Sequence, residues 1–325
     1  RAHDDLPMVE LSRLFEEYMK DGGFDQAVFS GETQIGRSLP HEEALPEGDH
    51  TEILDWERAT RLVETASDAA VSLCACRHKA SHLGKACDAP MNNCLALNFA
   101  AGSLVRNGLA DRVSRDEAMR ILEEAKACGL AQTGDNVQKN VSYICNCCGC
   151  CCGMMMAINT LNMPHAIVTS NWITVIDEAA CKGCGLCAKA CPIDAIDMAE
   201  TQTADGKKRK KAVLNKDLCL GCGVCYSACK FGAIAMKPRP KRVYTPESVF
   251  DRVIAMAVER GKLANVLFEN PETLSQRAMA RALHILELSP PYKAAMAIKP
   301  LRSAFLNTLV KKGKRMTGEA GKAVE

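Results

Sequence analysis

Two stretches of this chain repeat one another, and both are organised around cysteine. Val175-Ile176-Asp177-Glu178-Ala179-Ala180-Cys181 aligns with Val213-Leu214-Asn215-Lys216-Asp217-Leu218-Cys219. Cys181-Lys-Gly-Cys184-Gly-Leu-Cys187-Ala-Lys-Ala-Cys191 then aligns with Cys219-Leu-Gly-Cys222-Gly-Val-Cys225-Tyr-Ser-Ala-Cys229. Each copy closes on an apolar strand signal, at 194–198 and 232–236. Self-similarity of this kind marks one supersecondary unit used twice. Between the copies, Ala204-Asp205-Gly206 and the basic run 207–211 read as a hairpin turn with a solvated flank.

The spacing carries chemistry. Each iron of a [4Fe–4S] cube needs one thiolate, and three thiols at C-x2-C-x2-C spacing wrap one face of it; in two-cluster proteins the fourth cysteine of each run serves the other cluster. That rule assigns Cys181, Cys184, Cys187 and Cys229 to one cube, and Cys219, Cys222, Cys225 and Cys191 to the second. Gly183, Gly185, Gly221 and Gly223 suit sharp turns that bring backbone N–H groups near sulfide. Zinc would favour two separated C-x2-C pairs instead. Over residues 172–237 the chain resembles the bacterial two-cluster ferredoxins. It departs from them where Lys230, unlike Pro192, follows the cysteine run, which bears on turn geometry and cluster potential but leaves the ligands untouched.

Nineteen cysteines in 325 residues, an odd count with neighbours such as Cys147-Cys148, fit a disulfide framework poorly. They read as metal ligands kept reduced in a cytoplasm-like compartment. Ten lie upstream of the repeat: Cys74, Cys76, Cys87, Cys94, Cys145, Cys147, Cys148, Cys150, Cys151 and Cys152. Adjacent residues on an extended chain point opposite ways, so the thiols of 145–152 do not all reach one small ion. The ten suit one cube with spare thiols, two cubes, or a larger cluster; zinc or a thiol relay working by disulfide exchange is the alternative. Arg77, His78, Lys79 and His82 would place positive charge near thiolates, lowering their pKa and raising cluster potential, although each singly also fits a solvated loop. Cys128, without a thiol nearby in sequence, reads as a buried structural residue, and His165 as structural too. Cys-Ala-Cys-Arg-His-Lys, Ala-Cys-Asp-Ala-Pro and Ile-Cys-Asn-Cys-Cys-Gly-Cys-Cys-Cys-Gly, ahead of the repeat, make residues 70–240 similar to iron–sulfur proteins of anaerobic bacteria described as 4Fe–4S dicluster or ferredoxin-like. The resemblance implies redox partnership and names no substrate.

The expected fold is α+β, in four parts. An N-terminal helical segment (1–69) precedes a cysteine-rich, mostly α-helical metal-binding domain (70–170). A ferredoxin-like two-cluster module of short β-hairpins and helices (171–238) follows, then a C-terminal helical extension with a basic tail (239–325). Leu11, Leu14, Phe15 and Tyr18 recur at the spacing of one helical face. A second helix is expected at 52–66, a third at 92–107 ending at Gly108, and a fourth opened by a Ser114/Glu117 capping box and closed at Gly129. In 246–312, Thr245-Pro246 and Asn270-Pro271 read as N-caps before Pro, with Gly261 and Ser289-Pro290-Pro291 as stops.

Lys and Arg (41) nearly balance Asp and Glu (39), which removes the basic footprint of a nucleic-acid binder. There is no G-x-G-x-x-G after a strand, no phosphate-binding G-x-x-x-x-G-K-[ST], no G-x-S-x-G and no H-E-x-x-H, so no organic-cofactor site is read from the sequence. The expectation is an electron-transfer protein, a subunit of an oxidoreductase complex rather than a self-contained enzyme, with two [4Fe–4S] clusters and one or two more upstream. The rivals are a redox enzyme that reduces a small molecule at the 145–152 metal site, and a structural zinc domain that docks a ferredoxin. The expected setting is cytoplasmic, with peripheral membrane contact through the basic amphipathic stretch 301–315 as an added option. The sequence opens at Arg1, which leaves room for a lost upstream signal or anchor.

Overall fold

The computed structural model describes residues 6–21, 23–46, 53–202, 208–268, 273–292 and 308. The chain forms two compact units. One comprises Arg1–Phe29, Gly36–Asp135 and Asn140–Tyr244; the other comprises Ser30–Ile35, Asn136–Lys139 and Thr245–Glu325.

The first unit begins with α1 (Met8–Asp21), α2 (Phe24–Phe29), β1 (Gly36–Leu39) and α3 (Ala59–Thr65). Then come β2 (Ala69–Leu73), α4 (Ala75–His82), β3 (Asn92–Leu97), α5 (Asn98–Arg106), β4 (Asp111–Arg112) and α6 (Arg115–Ala127). β5 (Ala131–Asp135), β6 (Tyr143–Cys147) and α7 (Gly153–Asn159) complete this half. The six strands form one antiparallel sheet in the order β1-β5-β6-β3-β2-β4. All five residues of β5 are buried, so this strand is covered on both faces.

The cysteine-rich region is therefore a sheet with helices around it, which corrects the mostly helical expectation. The stretch 92–107 shows why. Its first six residues pair with β2 and β6, and helix starts only at Asn98, which adopts φ +54°. Asn tolerates this left-handed corner because its short amide bonds nearby backbone: Asn98 Nδ2 donates to the Val141 carbonyl (2.9 Å) and Oδ1 accepts from the Ser67 N–H (2.9 Å). On α1, Leu11, Leu14, Phe15 and Tyr18 share one helical face but remain exposed, while Ser12 and Met19 are buried. Phe15 and Tyr18 instead pack against Phe24 at ring-centre distances of 5.9 and 5.3 Å.

The repeat builds β7 (Trp172–Ile176), α8 (Leu186–Ala190), β8 (Ile196–Gln202), β9 (Lys208–Leu214), α9 (Val224–Ala228) and β10 (Ile234–Pro238). β7 pairs antiparallel with β10, and β8 with β9. The opening strand of each copy thus pairs with the closing strand of the other. The turn expected at 204–206 lies outside the described residues.

The second unit carries α10 (Val249–Glu259), α11 (Leu263–Leu267) and α12 (Leu274–Leu288) around Ile254, Ala255, Ala257, Val258 and Leu263. Its helices start later than the X-Pro signals suggest. Ser248 and Thr273 are the N-caps, because each finds a reciprocal partner three residues on, Asp251 and Gln276. Apart from Thr308, the basic stretch 301–315 lies outside the described residues. Among the described residues no helix is long and apolar enough to cross a membrane.

Candidate metal centres

The folded repeat gathers its eight cysteines into two cavities. Cys181, Cys184, Cys187 and Cys229 line one, with Ile176, Met198 and Phe231. Cys191, Cys219, Cys222 and Cys225 line the other, with Thr174, Ile193 and Leu220. Each cavity takes three thiols from one run and the last thiol of the other run, as the crossed strand pairing dictates. The loops are tight: a Cβ on Gly183, at φ +68°, would lie 2.0 Å from the Lys210 carbonyl oxygen, and one on Gly221, also at +68°, 2.1 Å from that of Trp172. Only glycine lets the loop approach the strand this closely.

The two cavities differ in exposure. In the first, Cys184 is exposed; in the second, Cys219, Cys222 and Cys225 are all buried. Burial pushes the Cys222 thiol well up and the Cys225 thiol to about 12, so a cation is needed to keep these groups ionised. Polar contacts to sulfur are already in place. Thr174 Oγ1 lies 3.4 Å from Cys225 Sγ, and the Ala195 N–H donates to Cys191 Sγ at 3.3 Å. Arg239 Nη2 donates to the Cys219 carbonyl at 2.6 Å. Single-sequence reasoning missed Thr174 and Arg239, since their partners lie 45 to 51 and 20 residues away. This chemistry, four thiols per cavity with N–H and hydroxyl donors to sulfur, fits iron–sulfur cubes.

The ten upstream cysteines separate into two sets. Cys74, Cys94, Cys145, Cys147, Cys152 and Cys76 form a closed ring, in which each thiol interacts with the next and Cys76 returns to Cys74. Cys74 and Cys152 occupy the N-cap positions of α4 and α7, and Cys145 and Cys147 are alternate residues of β6. Backbone N–H groups of Arg77, Gly153 and Met155 reach Cys74, Cys76 and Cys152 in turn. Hydrogen bonds from Cys145 first, then Cys152 and Thr133, hold Cys147 at about 6. The same bond to Cys147 drives Cys145 and Cys152 well up, and Cys76 rises to about 11 chiefly through Cys152. Without a cation, neighbouring thiols share protons because crowded thiolates repel; bound metal would ionise them together.

Cys87, Cys148, Cys150 and Cys151 form the second set, with their sulfurs all within 4.8 Å of one another. Adjacent thiols part company at two of the three neighbouring pairs, while Cys150 and Cys151, side by side in a turn, stay together. Cys147 and Cys152 join the ring, while their neighbours Cys148 and Cys151 join the four-thiol group. Gly149 lies between, and a Cβ there would meet the Pro192 carbonyl oxygen at 2.4 Å, so this loop packs directly on the backbone after Cys191.

Of the flanking cations, Arg77 is fully buried, so for it the solvated-loop reading does not hold. Its Nη2 donates to the Asn146 carbonyl at 2.9 Å and Nη1 to Asn93 Oδ1 at 3.1 Å and to the Pro90 carbonyl. Lys79 instead pairs with Glu16 at 3.3 Å and lies 5.6 Å from the Phe15 ring centre. His78 and His82 stack edge-on at 4.6 Å and line a cavity of about 850 Å³ beside α4. Among its described lining residues that cavity contains no thiol. His165 is exposed. Cys128, expected buried, is exposed at the C-cap of α6, where Gly129 at φ +71° ends the helix at the surface.

Residues 180–233 match the 4Fe-4S dicluster domain family, a span that holds all eight repeat cysteines. No curated protein matches the chain. This segment is an iron–sulfur, ferredoxin-like domain, and with the upstream cysteine sets it supports an iron–sulfur electron-transfer role.

Proposed function

We propose that the protein passes single electrons between redox partner proteins, as a subunit of a larger oxidoreductase assembly. In this reading Cys181, Cys184, Cys187 and Cys229 hold one [4Fe–4S] cluster, Cys191, Cys219, Cys222 and Cys225 hold a second, and the six-thiol ring holds a further iron–sulfur cluster. An iron–sulfur cluster, when bound, supplies one-electron chemistry without bond-making at the protein.

The observation that carries the reading is the division of one cavity between two apolar cores. Cys225 packs in the core that holds Cys181 and Cys187. Cys222, with Cys191 against it, packs in the core that holds Cys147 and Cys152. The cysteines of the second cavity therefore link those of the first to the ring through continuous, water-poor packing. Cys184, Leu186 and Phe231 line the first cavity and are exposed, and they give it a surface edge at which a protein partner would dock. None of the nineteen cysteines is paired in a disulfide, which suits a set of metal ligands.

Small-molecule reduction is the second reading, and the cavity beside His78 and His82 is what favours it. It ranks second because no thiol lines that cavity among the described residues. Stopped-flow oxidation of the anaerobically reduced chain by ferricytochrome c tests the first reading. About three electrons per chain are expected, one from each of three clusters, with one fewer in Cys184→Ser. An unchanged electron count in Cys184→Ser would contradict it.

A further inference from the structure

The six-thiol ring and the four-thiol group differ in the pattern of contact. Each ring thiol interacts chiefly with the one before it and the one after it, and among the described residues no three ring sulfurs come mutually within 4.8 Å. In the four-thiol group every pair interacts, which is the connectivity of a tetrahedron. Its sulfur separations are 3.6 Å for Cys87–Cys148, 3.6 Å for Cys150–Cys151 and 3.9 Å for Cys87–Cys151. A metal–sulfur bond of about 2.3 Å in tetrahedral geometry requires a sulfur–sulfur edge of about 3.8 Å. A cube needs far more room, because each thiolate binds a different iron and the irons and sulfides lie between the thiols.

Arg77 supplies an independent observation. A fully buried guanidinium is costly unless negative charge lies beside it. Its oxygen acceptors, the Pro90 and Asn146 carbonyls and Asn93 Oδ1, are neutral, and its side chain also bonds Cys148 of the four-thiol group. Arg77 is thus buried against the four-thiol group, where thiolate charge would offset the cost of burying the guanidinium. Four thiolates around one divalent ion carry a net charge of two negative, part of which a single arginine offsets.

We propose that Cys87, Cys148, Cys150 and Cys151 bind one tetrahedral divalent metal ion, zinc or ferrous iron, as a centre separate from every iron–sulfur cluster. The ion ties the loop after α4, which carries Cys87, to the 148–151 loop, and so holds Gly149 against Pro192 beside Cys191. The site stands whether or not the ring holds a cluster.

The test is metal and acid-labile sulfide content of the full chain purified anaerobically, with and without Cys150→Ser, an exposed position. One equivalent of zinc, or one of iron without sulfide, should disappear while the reduced-state EPR of the clusters is unchanged. Zinc would make the centre a redox-silent staple, and iron a further one-electron centre; either supports the proposal. Loss of iron together with matching sulfide, or no loss of metal, overturns it. Should the variant fail to fold, the intact chain decides the matter. Zinc-edge X-ray absorption should show a single sulfur shell near about 2.3 Å, or Mössbauer spectra should show one isolated high-spin ferrous site. A chain with neither overturns the proposal.

Discussion

Replacing Gly183 with alanine should release the cluster of the first cavity far more readily than replacing Gly185, two residues on. Both glycines have positive φ, +68° and +78°. The left-handed conformation costs an L-residue about 1–2 kcal/mol, and that cost falls on both substitutions. Gly185 has nothing within 4 Å of an added Cβ, so it bears the conformational cost alone. At Gly183 the added Cβ meets the Lys210 carbonyl oxygen at 2.0 Å, and Lys210 is fixed in register opposite Glu200. Overpacking of this kind adds about 1–3 kcal/mol, which brings Gly183→Ala to about 2–5 kcal/mol. For a unit of this size each kcal/mol is worth about 2–4 °C. The anaerobic melting temperature, followed by the visible absorption of the clusters, should therefore fall about 1.5 to 4 times as far for Gly183→Ala. Equal falls would refute the close approach of loop and strand as the reason for Gly183.

Acid sensitivity should depend in part on His41. Burial, the largest influence, holds His41 below its ordinary 6.5, and its Nε2 lies 3.0 Å from the Leu130 carbonyl, as a neutral donor. Its stabilising share is complete above about pH 6.5 and is lost as pH falls below that value, because the unfolded chain then binds the proton first. His41→Gln should flatten the decline of cluster melting temperature below pH 6.5, and an identical slope would count against the assignment. In the second unit, Glu287 is buried and accepts from the Leu263 and Ala264 N–H groups at 2.7 and 3.2 Å. Glu287→Ala should destabilise α11 by about 1.5–3 kcal/mol for each bond lost, read as faster amide exchange at those two residues with iron content unchanged; unaltered exchange would refute the capping role. Cys128→Ser should leave metal content at its wild-type value, and any loss would show that this exposed thiol is a ligand.

The repeat was legible because its chemistry is local: C-x2-C-x2-C spacing and the glycines between the thiols are both properties of a dozen consecutive residues. Its strands were visible only where apolar runs mark them; the basic residues 208–211, read as a solvated flank, belong to β9. The upstream half was harder for a physical reason. Asn92–Leu97 becomes a strand through pairing with β2 and β6, and the Asn98 corner that ends it carries no periodic signal. Burial of every residue in Ala131-Gln132-Thr133-Gly134-Asp135, polar ones included, is a tertiary outcome with no apolar pattern to announce it. The 145–152 thiols divide as expected, but the strand ends at Cys147 and the division beyond it follows a turn rather than strand alternation. Nothing local foretold which thiols would meet, since Cys87 arrives from a loop some 61 residues before Cys148. Arg77 was visible as a charge near thiols, but only burial distinguishes it from Lys79, whose charge is taken by Glu16.

The most direct test of continuity from the ferredoxin-like domain into the upstream half is iron and acid-labile sulfide counting on anaerobic protein, wild type against Cys94→Ser. The account predicts well above 8 irons in the wild type, more than two cubes supply, with loss of the excess and its sulfide in the variant. About 8 irons in both proteins, the content of two cubes alone, would contradict it.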